Sequence, residues 1–277
     1  MIAAVGDLLL DVTIAPEGEL VPDDERDARI ELGGGGQAAN FCAWAASLGE
    51  PARLITRVGD DEAGRQLVAE LESAGVEVAG PRVAGPTGTI AVLVGPGGRR
   101  TFARQSGASR GLRAEDVDPV WLDGVRLLHV SGYALYGESA SGALRAADLA
   151  RKGGALLSVD LSSAEDLRRF GGDRLADQLR WLRPELLFGT EREMGELLAP
   201  AGDLAKVPVV KLGALGCRVF ERRVPAPAVG VLDGTGAGDA FAAAFCVAYL
   251  DGATPLEAAG RAVLVGARAV TRLGARP

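Results

Sequence analysis

The chain is short of several residue types on which common mechanisms depend. Its 277 residues contain one histidine, His129, set in the middle of an apolar run, so no Ser/His/Asp or Cys/His arrangement can be built and the ring reads as a core group. Its lysines are Lys152, Lys206 and Lys211; none closes a G-x-x-x-x-G-K-[ST] run, which excludes a Walker A loop. Cysteine is scarce and odd in number. Cys42, Cys217 and Cys246 are widely spaced, lack metal-ligand spacing, and fit buried free thiols in a reducing cytoplasm. A basic surplus is also missing: 30 Lys and Arg against 37 Asp and Glu give a net charge of −7, which argues against a nucleic-acid or membrane-surface role. The N-terminus has no basic n-region, and Asp7 and Asp11 interrupt its apolar residues, so neither a signal peptide nor a membrane span is expected.

What is present is a composition of 48% hydrophobic and 24% charged residues, enough for a large core in one domain over 1–277. From Leu127 onward strand and helix patterns alternate strictly, through Ala155–Asp160, Leu186–Phe188 and Val207–Leu212 to a last helix near 255–270. That rhythm implies an α/β fold: a three-layer, mostly parallel sheet with helices on both faces and ligands at the strand C-termini. Asp11, Asp160, Gly213 and Asp239 fall at such ends. Two segments of thin β character interrupt the rhythm, near 12–33 and 86–105, the second with a hairpin signal at Gly95-Pro96-Gly97-Gly98. They are expected to form a small β-sheet lid over the quartet Gly33-Gly34-Gly35-Gly36, which abuts a helix N-terminus. Asn40, one turn into that helix, offers a donor and an acceptor to a polyol. Ile2 to Val5 and Leu8 to Leu10 read as a first strand broken by Gly6-Asp7 and ended by Asp11, which can accept from sugar hydroxyls or merely start a turn. Arg104, with Arg99 and Arg100, can meet an anionic substrate, close the lid or stay solvated.

The densest stretch is Val229 to Leu250, which reads as a short apolar strand, a turn with Gly234, Gly236 and Gly238, and a helix apolar on every side. A strand, a glycine turn and a helix N-terminus make a phosphate seat. The spacing is not that of a dinucleotide fingerprint, and no acidic ribose partner follows, which counts against an NAD-dependent oxidoreductase. Asp239 is a carboxylate where an anion should bind: either a helix cap, or a base in a cradle that must also deprotonate a hydroxyl.

With these residues in place the chain resembles the ribokinase-like (PfkB) carbohydrate kinases over nearly its full length. Gly35-Gly36-Gln37-Ala38-Ala39-Asn40 is similar to that family's N-terminal signature, and Asp233-Gly234-Thr235-Gly236-Ala237-Gly238-Asp239 to its C-terminal D-T-x-G-A-G-D. The resemblance implies ATP-dependent phosphorylation of a hydroxymethyl group on a sugar or sugar acid. Asp239 would be the general base and the amides of Gly236, Ala237 and Gly238 an anion hole. It places Asp11, Gly35, Gly36 and Asn40 on the sugar, and Lys211, Gly213 and Gly216 beside the nucleotide, where the family usually has threonine or serine at the position of Lys211. Glu193 would act on Mg²⁺ through water, and Thr190 stands where the motif has asparagine. Asp233, Thr235, Ala269, Arg272 and Gly274 match positions that supply oxygens to a monovalent cation such as K⁺. The stretch Phe102 to Ala108 is similar to keto-deoxy-gluconate kinases, so Arg104 would meet a sugar-acid carboxylate; Gln37 stands where ribokinases carry lysine. The lid forms a dimer interface in several members. A nucleoside kinase of the same family, or a catalytically idle sugar or nucleotide sensor, are the alternatives.

Overall fold

The computed structural model describes residues 1–95 and 100–277; Pro96 to Gly98 of the expected hairpin turn, Arg99 and the Arg100 side chain lie outside the described residues. The strands are β1 (Ile2–Val5), β2 (Leu9–Pro16), β3 (Ala28–Gly35), β4 (Ala52–Ile55), β5 (Val58–Gly59), β6 (Val76–Ala79), β7 (Arg82–Val83), β8 (Gly88–Val94), β9 (Arg100–Gln105), β10 (Leu127–Ser131), β11 (Leu156–Asp160), β12 (Leu186–Thr190), β13 (Val207–Lys211), β14 (Cys217–Val219) and β15 (Arg222–Val224). The helices are α1 (Gln37–Ser47), α2 (Glu62–Ser73), α3 (Gly132–Leu135), α4 (Ala140–Lys152), α5 (Ala164–Phe170), α6 (Gly172–Leu182), α7 (Glu191–Gly195), α8 (Ala201–Leu204), α9 (Ala237–Leu250) and α10 (Pro255–Ala269).

The central sheet runs β15-β14-β13-β12-β11-β10-β1-β4-β6. It is parallel from β13 to β6, with β14 and β15 added antiparallel at one edge. Parallel strands covered on both faces must be apolar throughout, and every residue of β1 and β10 is buried. Alternation then divides the core in two: Ile2 and Ala4 join the layer of α1, α9 and α10, while Ala3 and Val5 join that of α4 and α6. In the first layer α9 is buried along most of its length between α1 and α10, which explains a helix apolar on all sides. His129 lies in this core, stacked on Phe41 at 4.0 Å and 2.6 Å from Ser158 Oγ, and burial pushes it down to about 4, so it is a neutral structural group.

A second sheet, β3-β2-β8-β9, is built from the segments expected to make the lid, with β2 antiparallel to β3 and parallel to β8. The apolar N-terminal run is therefore not one interrupted strand: β1 belongs to the central sheet and β2 to the second sheet. The chain turns at Gly6, where a Cβ would lie 2.8 Å from both Ala38 Cβ and Ser131 Cβ. Strand order steps from β1 outward to β4 and β6, then restarts at β10 on the other side, so the β1/β10 boundary is the topological switch at which a crevice opens. Gly33 to Gly35 end β3, and Gly36 alone makes the turn (φ 96°) into α1.

The strand expected over Val229 to Leu232 does not form. Val231 and Leu232 are 68% and 62% exposed, and the amides of Leu232 and Asp233 both donate to the Val270 carbonyl at the end of α10. With β15 paired to β14 as the edge of the sheet, this run docks on a helix end in place of a strand.

Candidate active site

Asp239 stands in the first turn of α9, half-buried, where Gly236 in the left-handed conformation (φ 72°) leads into the helix. A Cβ on Gly236 would lie 2.3 Å from the Ala275 carbonyl oxygen, so the turn requires glycine on both conformational and packing grounds. The Asp239 side chain makes no cap bond to its own helix. It accepts instead from Asn40 Nδ2 of α1 at 2.9 Å. Burial pushes the Asp239 carboxyl up to about 8; Asn40 and Lys211 oppose the shift, and Asp160 and Asp7 add to it.

Beside the glycine turn lies Lys211, at the C-terminal end of β13. Its Nζ donates to Asp160 Oδ2 at 2.6 Å and is 3.5 Å from the place a Cβ on Gly238 would take. Burial works against the ammonium, but Asp160 and Glu193 outweigh it and hold Lys211 above the usual lysine range. An assured cation thus flanks the first amides of α9. Glu193, itself buried, closes a capping box on α7: its Oε2 accepts from the Thr190 amide at 2.7 Å, and Thr190 Oγ1 accepts from the Glu193 amide. Thr190 is thereby placed as the cap of α7. Gly213 and Gly216, both with positive φ, bracket the turn between β13 and β14; Gly213 is exposed and Gly216 is packed against the Val224 carbonyl.

Two carboxyl oxygens have no hydrogen-bond partner, Oδ1 of Asp7, just beyond β1, and Oδ1 of Asp11, in β2. Burial raises both groups. It is opposed at Asp7 by the amides of Asp7, Ala38 and Gln37, and at Asp11, which sits at about 6, by Arg276. The Asp11 carboxyl lies flat against Gly35, where a Cβ would come within 2.1 Å of Oδ1. Gln37 is occupied elsewhere, accepting from Ser131 Oγ at 2.6 Å. Arg104 of β9 pairs with Asp166 at 3.4 Å and lies over the Tyr133 ring at 5.2 Å. These groups, with Asp7, Arg110 and Arg174, line a cavity of about 400 Å³. Burial pushes the Tyr133 hydroxyl up, and the Asp7 carboxylate adds to the shift.

Asp233, Thr235 and Gly274 are joined directly: Asp233 accepts from the Thr235 amide at 2.8 Å, from Thr235 Oγ1 at 2.7 Å and from the Gly274 amide at 3.1 Å. Ala269 and Arg272 lie in the same turn through the Arg272 amide on the Ala269 carbonyl. Sequence reasoning gave no role to Asp7, Tyr133 or Arg276. Asp7 carried a usable signal, an acidic residue just beyond the first buried strand; Arg276 carried none. Among the described residues no helix is long and apolar enough to cross a membrane, and no three His, Cys, Asp or Glu side chains gather into a metal site.

A half-buried carboxyl, the N-terminus of α9 and a fixed ammonium thus lie close together at the C-terminal ends of the strands. The chain belongs to the pfkB family of carbohydrate kinases, whose model matches residues 1–277. It is 30% identical to an ATP-dependent ribose-1-phosphate kinase of Halopiger xanaduensis, over 99% of this chain and 93% of that one. It is 31% identical to a 2-dehydro-3-deoxygluconokinase of Thermoproteus tenax, over 96% and 89%. Among solved structures, a candidate ribokinase II of E. coli in complex with ATP and Mg²⁺ superposes with a TM-score of 0.87 at 25% identity, over 99% of this chain and 94% of that one.

Proposed function

We propose that the protein transfers the γ-phosphoryl group of ATP to a hydroxymethyl group of a sugar acid or other anionic sugar. The observation that carries this reading is Asp239: a carboxyl raised to about 8, held by Asn40 at 2.9 Å, at the start of α9 and close to Lys211. Asp239 takes the hydroxyl proton as the substrate oxygen bonds to phosphorus, the bond from phosphorus to the β-phosphate oxygen breaks, and ADP leaves. The amides of Gly236, Ala237 and Gly238, with Lys211, face the charge on the transferring group. Gly213 and Gly216 border the nucleotide. Bound Mg²⁺ would supply positive charge beside the phosphates, and the buried Glu193 would act on it through water. The apposed loops carrying Asp233, Thr235, Ala269, Arg272 and Gly274 would hold a monovalent cation.

The partnerless oxygens of Asp7 and Asp11 are acceptors awaiting donors, which suits sugar hydroxyls. Arg104, with Arg110 and Arg174 around the same cavity, favours an acceptor bearing a carboxylate or phosphate, and both relatives are named for such acceptors. The outward apolar residues Ile30, Leu32 and Phe102 of the lid support pairing with a second copy. An ADP-release screen over sugars, sugar acids, sugar phosphates and nucleosides, with and without K⁺, tests the reading. Turnover should be best with an anionic sugar and higher in K⁺, and Arg104→Met should raise KM for that acceptor more than for a neutral sugar. Phosphorylation of nucleosides alone would overturn the substrate class; no ATP consumption with any acceptor would overturn the activity.

A further inference from the structure

A buried guanidinium touches the partner of Asp239 without any part in the transfer itself. The Arg276 side chain is 10% exposed and runs beneath the end of β3. Its Nη1 lies 2.9 Å from Glu70 Oε1, its Nη2 donates to the Gly35 carbonyl at 3.1 Å, and its Nε donates to Asn40 Oδ1 at 3.3 Å. The backbone that carries it is pinned, because Trp44 Nε1 donates to the Ala275 carbonyl at 2.9 Å and that same carbonyl abuts Gly236.

Asn40 connects this guanidinium to the base. An arginine has only donors, so the Asn40 oxygen must face Arg276, which leaves the amide NH₂ for Asp239. Turned over, the amide would set N–H against N–H on one side and oxygen against carboxylate on the other. We infer that Arg276 is a positioning residue that fixes the Asn40 amide with its donors on Asp239, and so sets the proton affinity of the base. The inference rests on Asp239 being the base. The groups facing the Asp239 carboxyl include Asn40, Asp160, Lys211, Asp7 and Tyr133; Arg276 reaches it through Asn40.

Loss of Arg276 acts in one direction. Without Arg276 the amide turns freely, donation to Asp239 weakens, and the protonated carboxyl is favoured. The test is the titration of Asp239 in protein labelled with ¹³C at the aspartate carboxyl, the resonance being assigned by its absence in Asp239→Asn. In Arg276→Met the midpoint should rise by at least about half a pH unit, and Arg276→Lys should recover part of that shift. In an Asn40→Ala background the same substitution should move the midpoint little, since the linking amide is gone. Where the protein turns over, kcat should fall between about 5- and 50-fold in Arg276→Met with KM for ATP nearly unchanged, again only when Asn40 is present. If Arg276→Met does not fold, Gly34→Ala serves, because its Cβ would come 1.9 Å from Nη1 and push the guanidinium aside. An unchanged midpoint, or an equal shift with and without Asn40, overturns the inference. Wild-type protein that phosphorylates nothing would sink the kinase reading alone, because the titration needs no substrate.

Discussion

Replacing Asp239 by asparagine should make the protein inactive and, above neutral pH, more stable. A carboxyl titrating near 8 is about one-tenth ionised at pH 7, so kcat/KM of the wild type should climb nearly tenfold per pH unit until about pH 8. Asparagine has no proton to accept, and turnover should fall by roughly 10²- to 10⁴-fold with that acid limb lost. The stability effect has the opposite sign. The carboxyl is raised above the 3.8 of the unfolded chain, so the folded state holds the proton more tightly and loses stability as pH rises from about 4 to about 8. A shift of that size caps the penalty at roughly 6 kcal/mol, from which the imperfect fit of an asparagine against Asn40 subtracts; a net gain on the order of 1–3 kcal/mol at pH 8.5 is expected. Thermal melts at pH 5 and 8.5, beside an ADP-release assay over the same range, read both effects. A variant that turns over within tenfold of wild type, or that gains nothing between the two pH values, refutes the reasoning.

Lys211→Met should lower kcat by about 10²-fold by removing a cation from the anion seat. It should also cost on the order of 3–5 kcal/mol, because Asp160 at 1% exposure is left charged without its partner. Adding Asp160→Asn should restore the melting temperature and leave kcat low, which separates the two roles. Gly236→Ala forces a side chain into a positive φ and 2.3 Å from the Ala275 carbonyl; it should destabilise by at least about 1–3 kcal/mol and lower activity further than unfolding accounts for, as melts and active-site titration would show.

Much of this architecture was legible because its signals are local. β10, α5 and the parallel run from β10 to β13 follow from period and length, and α9 announces itself as a helix with no polar face. The two glycine motifs carried Asn40 and Asp239 for the same reason. What was not legible depends on distant partners. The short run from Val229 to Leu232 looks like a strand wherever it occurs, yet pairing needs a free edge, and the run meets the end of α10 instead. The run from Ile2 to Leu10 divides between two sheets because of what Gly6 touches, Ala38 and Ser131, far along the chain. Arg276 reaches Asn40 across 236 positions of sequence, and no composition or spacing marks it.

That asymmetry has a physical root in the charges themselves. Asp7, Asp11, Asp160 and Asp239 gather around one switch point, where Lys211 is paired with Asp160 and Arg276 is shared with Glu70. Folding alone gives no reason to bury three further carboxylates together: each is raised by burial, and two keep an oxygen without a donor. Hydroxyl donors from a polyol would satisfy the orphan oxygens of Asp7 and Asp11. The proton affinity that burial gives Asp239 also suits the base role proposed for it near neutral pH. The features least favourable to the empty fold are therefore those its substrate would complete, and they lie on segments that meet only once the chain has folded.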